Sequence, residues 1–162
     1  MKEYDGKLRV VYKHMIVHPP VRDAHLASCA ASKQGKFNEY KNQVWEKAYA
    51  KRDFGEDNLL KIGTDLGLDA NKLKADMHGD DCAKRVDGDM EELKKFHVNG
   101  TPAFFINGKH IGGGIPKDAF KKIIDEKLQV AQASGVSGGE YYAKEIMGKG
   151  EKEFKAAPEQ AQ

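Results

Sequence analysis

V-N-G-T-P-A-F-F-I-N-G-K-H-I-G-G-G, Val98 to Gly114, is the stretch whose reading decides the fold. Ala103–Ile106 is a short apolar run, too brief for a helix and rich in β-forming residues, so it reads as a buried strand. Asn107-Gly108 follows at once, and this pair signals a tight hairpin because both turn positions must take positive φ. Lys109–Ile111 is then the returning strand, ended by the Gly112–Gly114 run. Pro102 stands directly before the first strand, where a missing N–H and a fixed φ are tolerated only at an entry or edge position.

Working outward, Pro116 suits a first helical turn, and Phe120, Ile123, Ile124 and Leu128 mark the inward stripe of a closing helix. Ser134–Gly139 reads as a joint, Glu140–Met147 as one more short helix, and Gly148 onward as a polar, frayed tail. Ahead of the hairpin, Asp80 or Asp81 caps a helix running to Phe96, with Cys82, Val86, Met90 and Leu93 on one face. A short helix around Leu73–Met77 follows Leu68-Asp69, and Asn58–Leu66 forms another, with Leu59, Ile62 and Leu66 inward and Gly67 as its stop. Phe37, Tyr40, Val44, Trp45, Ala48 and Tyr49 mark one face of a strong helix in which Trp45 is expected in the core. From Val21 to Gly35 the pattern is again helical, with Leu26, Cys29 and Ala30 as its stripe. Leu8–Val17 is dense in β-branched and aromatic residues of both parities, the pattern of a strand covered on both faces. His18-Pro19-Pro20 stops it.

The composition is that of an ordinary globular chain. Its 162 residues suffice for one sound core, and its 27 basic and 25 acidic side chains are interleaved to a net charge of +2. No dense basic patch implies nucleic acid or a membrane surface. The longest apolar run falls far short of the ~20 residues needed to span a bilayer. The polar opening Met1–Gly6 lacks the apolar region of a signal peptide.

G-T-P-A-F-F-I-N-G closely resembles the proline loop and hairpin of the thioredoxin superfamily, and of the DsbA-like thiol–disulfide oxidoreductases in particular. H-P-P followed by an alanine-rich helix, G-K-F-N-E-Y-K-N-Q-V-W, and the L-G-L-D elbow at Leu66–Asp69 resemble the same family's helical insert. The resemblance covers roughly Leu8 to Leu128. It implies an α/β, thioredoxin-like fold with a helical insertion of the DsbA type, the insert at about residues 21–97 of a domain spanning 1–135, with a helix and tail over 136–162. It further implies that the Thr101-Pro102 bond is cis, the alternative being a plain hairpin with an ordinary trans proline. By the same resemblance Gly100, Thr101 and Pro102 contact a protein or peptide substrate along the proline loop, and the protein works in the periplasm or is otherwise exported.

The chain departs from that family where the chemistry lies. The family's C-x-x-C sits at a helix N-terminus, where the dipole and open amides lower the thiol pKa. These residues contain no C-x-x-C, so no catalytic residue is assigned, and the domain is expected to be N-terminally incomplete relative to the family and inactive in dithiol exchange by itself. Without the family's intervening strand, the strands at Leu8–Val17 and Ala103–Ile106 are left with open edges. They then pair directly, accept a second copy, or were completed by an upstream segment; a homodimer or strand-exchanged oligomer is the favoured outcome.

Cys29 and Cys82 lie on apolar helix faces and admit three readings: inert buried thiols, a structural disulfide favoured by export, or a redox-active pair. The six histidines make no helical H-x-x-x-H and no recognisable metal set, although His14 and His18 share a parity. No metal or cofactor is expected. Two functions remain: a DsbA-like disulfide-exchange domain whose dithiol is supplied by residues not present here, or a non-catalytic thioredoxin-like module that holds an extended polypeptide. A glutathione-transferase-like domain shares the proline loop, but the insert's position and the hairpin glycines argue against it.

Overall fold

Alanine-rich sequence makes the first helix a surface against which others close. In the computed structural model, which describes residues 2–155, α1 spans Arg22–Lys33 and buries Ala24, Ala27, Ser28, Cys29, Ala30 and Ala31. Small side chains around most of its circumference let neighbouring backbones approach, and α1 packs against α2 (Phe37–Gln43), α3 (Glu56–Asp65) and α4 (Ala70–Met77). Gly35, at φ +75°, supplies the left-handed residue that ends α1. Tyr40, Leu59, Ile62, Leu73 and Met77 are fully buried in the core so formed, each contributing roughly 1.5–3 kcal/mol of burial. The Tyr40 hydroxyl donates to the Leu59 carbonyl at 2.8 Å, so the largest core side chain carries no unpaired polar atom.

The turns between these helices follow local rules. Gly67, at φ +76°, closes α3 while the Leu68 amide reaches back to the Gly63 carbonyl at 3.0 Å. Asp69 then caps α4, its carboxylate accepting from the Lys72 amide at 2.8 Å. Helix α5, Asp80–Lys95, buries Cys82, Val86 and Asp89. Its Cys82 is disulfide-bonded to Cys29 of α1, with 5.7 Å between Cα atoms and 53 positions between the residues.

The chain divides into two compact units. One is the helical unit, Lys13–Glu92, and the other joins residues 2–12 to residues 93–155. In the second unit the hairpin forms with β1 at Ala103–Ile106 and β2 at Lys109–Gly112, antiparallel with Ala103 opposite Gly112 and Ile106 opposite Lys109. Asn107 (φ 44°) and Gly108 (φ +86°) both take the positive φ that the two-residue turn demands. Helix α6, Lys117–Ala133, begins directly after Pro116. Its Phe120 meets Phe104 edge-to-face with ring centroids 4.9 Å apart. Helix α7, Gly138–Tyr141, continues into a π-helical turn over Tyr142–Met147. The Phe154 amide donates to the Lys95 carbonyl at 2.9 Å. The frayed tail expected from Gly148 lies, over residues 156–162, outside the described residues, as does Met1.

Two expectations are corrected. Leu8–Val17 forms no strand. Among the described residues the sheet has only β1 and β2, so an apolar, β-branched sequence finds no ladder and leaves Val10, Val11, Tyr12 and Val17 exposed. Trp45 is not in the core but 67% exposed. The chain leaves α2 through a π-helical turn at Val44–Tyr49 whose wider i→i+5 spacing keeps Val44 and Ala48 inward. Trp45 is turned out, its ring tilted over Tyr49 at 4.5 Å.

Replacing both cysteines, Cys29→Ala with Cys82→Ala, is expected to cost roughly 2–4 kcal/mol through the lost 53-position cross-link. Chemical denaturation followed by far-ultraviolet dichroism should show the lowered midpoint, and the double variant should then be insensitive to reductant.

Candidate functional site

The proline loop is built from a helix end and a hairpin start. Helix α5 stops with His97 at φ 54°, the Val98 amide bonding back to the Leu93 carbonyl at 3.0 Å. Residues 99–102 then cross to β1, and the Thr101-Pro102 peptide bond is cis. The Pro102 carbonyl accepts from the Gly113 amide at 2.8 Å, which fastens the loop to the far end of the hairpin. Gly113 makes that contact at φ +77°, a conformation that costs glycine little and other residues more. Thr101 and Pro102 are exposed and Gly100 is half-buried. On the hairpin that follows, Phe105 faces His110 across the strands, rings 4.8 Å apart, and Phe96 from the end of α5 at 5.7 Å. The unit thus combines a proline loop tied to the hairpin with partly exposed aromatic rings on β1 and β2, features of the kind by which an extended chain is held through main-chain bonds and side-chain contacts.

The N-terminal residues of this unit lie on the closing helices. The Tyr4 hydroxyl donates to Asp125 of α6 at 2.7 Å, and that bond to a carboxylate, with burial adding to it, pushes the phenol up to about 12. The Arg9 guanidinium sits 4.0 Å above the Tyr142 ring.

The cysteines lie within the helical unit, Cys29 3% exposed and Cys82 fully buried, and the chain holds no free cysteine. A buried disulfide presents no thiolate. Among the described residues no three His, Cys, Asp or Glu side chains converge as a metal site would require.

One cluster escaped sequence reasoning. His14, only 8% exposed, does not pair with His18; its Nδ1 stands 3.2 Å from Nδ1 of His25 on α1. The His14 amide donates to Asp89 Oδ2 at 2.9 Å and the Ile16 amide to Met90 Sδ at 3.1 Å, while Lys13 bonds Asp89 and Glu92. The available signal was Asp89 itself, an acid on the helix face carrying Cys82, Val86 and Leu93.

The model of the DSBA-like thioredoxin domain matches residues 7–125. The chain belongs to that family. Its relatives include a Na(+)/H(+) antiporter NhaA of Herminiimonas arsenicoxydans, 30% identical over 110 residues that make up 68% of this chain and 17% of that protein. Na(+)/H(+) antiporter NhaA 1 of Mycobacterium sp. strain KMS is 31% identical over 122 residues, 72% of this chain and 19% of the relative. The Bacillus cereus protein named "Probable disulfide bond formation protein D" is 32% identical over 76 residues, 46% of this chain and 34% of its own length. The chain therefore spans less than a fifth of the antiporters it matches. No solved structure matches it. Among the described residues no helix is long and apolar enough to cross a membrane.

The family assignment places the proline loop within the matched segment, and its tie to Gly113 can be tested. Gly113→Val should strain the left-handed position by about 1 kcal/mol or more and loosen the Pro102 carbonyl. Faster amide exchange at position 113 with a lowered melting temperature is the expected result.

Proposed function

We propose that this chain is a DsbA-like disulfide-exchange domain that holds an extended protein or peptide substrate at Gly100, Thr101 and Pro102, and that these residues alone do not carry out the exchange. The observation carrying this reading is that both cysteines are consumed in a buried disulfide of the helical unit while Thr101 and Pro102 stand exposed. Attack on a substrate disulfide needs a thiolate, and no cysteine of this sequence supplies one. The substrate is recognised through its backbone beside Thr101, with Phe105 and Phe96 as the apolar contacts. A long-range disulfide is formed and kept in oxidising compartments, which supports an exported, periplasmic setting for the domain. The antiporters' ion exchange is not carried over, because the match occupies less than a fifth of their length.

The test has two readouts. In a thiol–disulfide exchange assay with reduced glutathione and a disulfide substrate, the chain should give no turnover above the uncatalysed rate; turnover at the rate of an ordinary dithiol oxidoreductase overturns the reading. Fluorescence anisotropy with an unfolded, cysteine-blocked peptide should show binding that Thr101→Arg weakens tenfold or more, about 1.4 kcal/mol.

A second reading, a non-catalytic assembly module, is favoured by the exposure of Val10, Val11, Tyr12, Phe104 and Phe105 in a unit whose sheet has two strands. Such edges template pairing with another chain, and a twofold homodimer or strand-exchanged oligomer closes them. Light scattering should then give twice the 18.0 kDa chain mass, and Val11→Lys should return the monomer.

A further inference from the structure

We propose that His14 and His25 form an acid-sensitive clasp that pins residues 13–16 to α1 and α5 and releases them when both imidazoles carry a proton. The geometry is that of a single hydrogen bond between two like nitrogens. Nδ1 of His14 lies 3.2 Å from Nδ1 of His25, with ring centroids 5.4 Å apart and planes nearly perpendicular. One ring donates Nδ1–H and the other accepts in its Nε2–H tautomer. A first added proton goes to the free nitrogen of the donor ring and leaves the bond intact. A second places N–H groups head-on at that separation, both rings cationic, and the bond cannot survive.

The surroundings decide where in pH this happens. His14 is 8% exposed. The groups facing it are Asp89 and Arg85 of α5 and Lys13 of its own segment, and burial together with the two cations outweighs Asp89, holding its imidazole below the usual range. Glu92 of α5 is occupied by Lys13, and Phe37 of α2 presents a ring 6.4 Å from that of His14. On His25 burial acts first and His14 second, taking it down to about 4. Arg22, one turn earlier on α1, is paired with Asp87. A histidine depressed in the clasped state binds fewer protons than in the released state, so the clasp holds above the ordinary histidine value and weakens as pH falls from there towards 4.

Release has a defined extent. His14 is the middle of a segment fastened at three points, its own amide on Asp89, the Ile16 amide on Met90 Sδ, and Lys13 on Asp89 and Glu92. The amides of His14 and Ile16 lie two residues apart, the spacing at which one edge of an extended chain presents its donors. Side chains of α5 occupy them in the clasped state. Opening returns these donors to solvent, or to a partner strand.

The test is amide hydrogen exchange at His14 and Ile16 from pH 7 to pH 4.5, each rate divided by the intrinsic rate for that pH. Protection should fall on the order of 50-fold between pH 6.5 and 4.5, from the displacement of His25 alone. The variant His25→Gln keeps a non-titrating hydrogen-bond partner for His14 and should lose clearly less protection at pH 4.5 than the unmodified protein, the remaining fall being that of His14 itself. An equal loss of protection in both proteins assigns the effect to groups other than His25 and overturns the clasp. Side-chain nitrogen resonances of the unmodified protein provide the check that needs no variant. Two independent titrations near the ordinary histidine value overturn the proposal, whereas displaced, coupled steps support it.

Discussion

The helical unit depends on how closely its elements can approach α1. Ala27, Ala30 and Ala31 are completely buried, so α1 offers almost bare backbone to α2, α3 and α4. A larger residue at any of these positions would have to displace a packed neighbour, which costs about 1–3 kcal/mol in a dense core. The one buried polar side chain of α1, Ser28, satisfies itself on the Ala24 carbonyl at 2.7 Å. Cys29, on the opposite side of the helix from Ala27, adds the covalent link to α5. Packing, polar satisfaction and cross-linking are thus carried by five consecutive residues, Ala27–Ala31.

Much of this was legible because local and global signals agree. Asn107-Gly108 can make a two-residue hairpin whatever surrounds it, and Gly35, Gly67 and Asp69 end or begin helices by their own backbone and side-chain chemistry. The proline loop was legible as a motif, and its Gly113 tie follows once the hairpin register is set. Trp45 shows where periodicity fails. A face drawn at 3.6 residues per turn assumes an α-helix throughout, and the π-helical turn at Val44–Tyr49 shifts the angular position of everything after Gln43. Nothing in V-W-E-K-A-Y announces that turn.

Leu8–Val17 fails for a different reason. Strand propensity measures how well side chains suit a pleated, half-buried surface, not whether a neighbour exists. The sequence has the propensity; the described sheet has no third strand. Backbone amides in such a segment still need acceptors, and at His14 and Ile16 they come from Asp89 and Met90, 74 or 75 positions away. No spacing rule reaches that far. Asp89 on an otherwise apolar face was the readable trace, since an acid is kept on a buried face only where a donor meets it.

The two units differ in what they can spare for recognition. Among the described residues the buried apolar side chains belong to the helical unit with one exception, Ile111 of β2. Helix α6 buries none fully, although Phe120, Ile123, Ile124 and Leu128 face inward to half-burial. Elements with few buried contacts open at low free-energy cost and are the ones from which binding surfaces are drawn. In the hairpin unit that looseness has local limits: the turn is fixed by two positive-φ residues and the Pro102 carbonyl by Gly113. A tied proline loop in a unit that also leaves aromatic rings uncovered suits a ligand that brings its own backbone hydrogen bonds and apolar side chains. An unfolded polypeptide brings both, and it is the class of partner proposed for this unit.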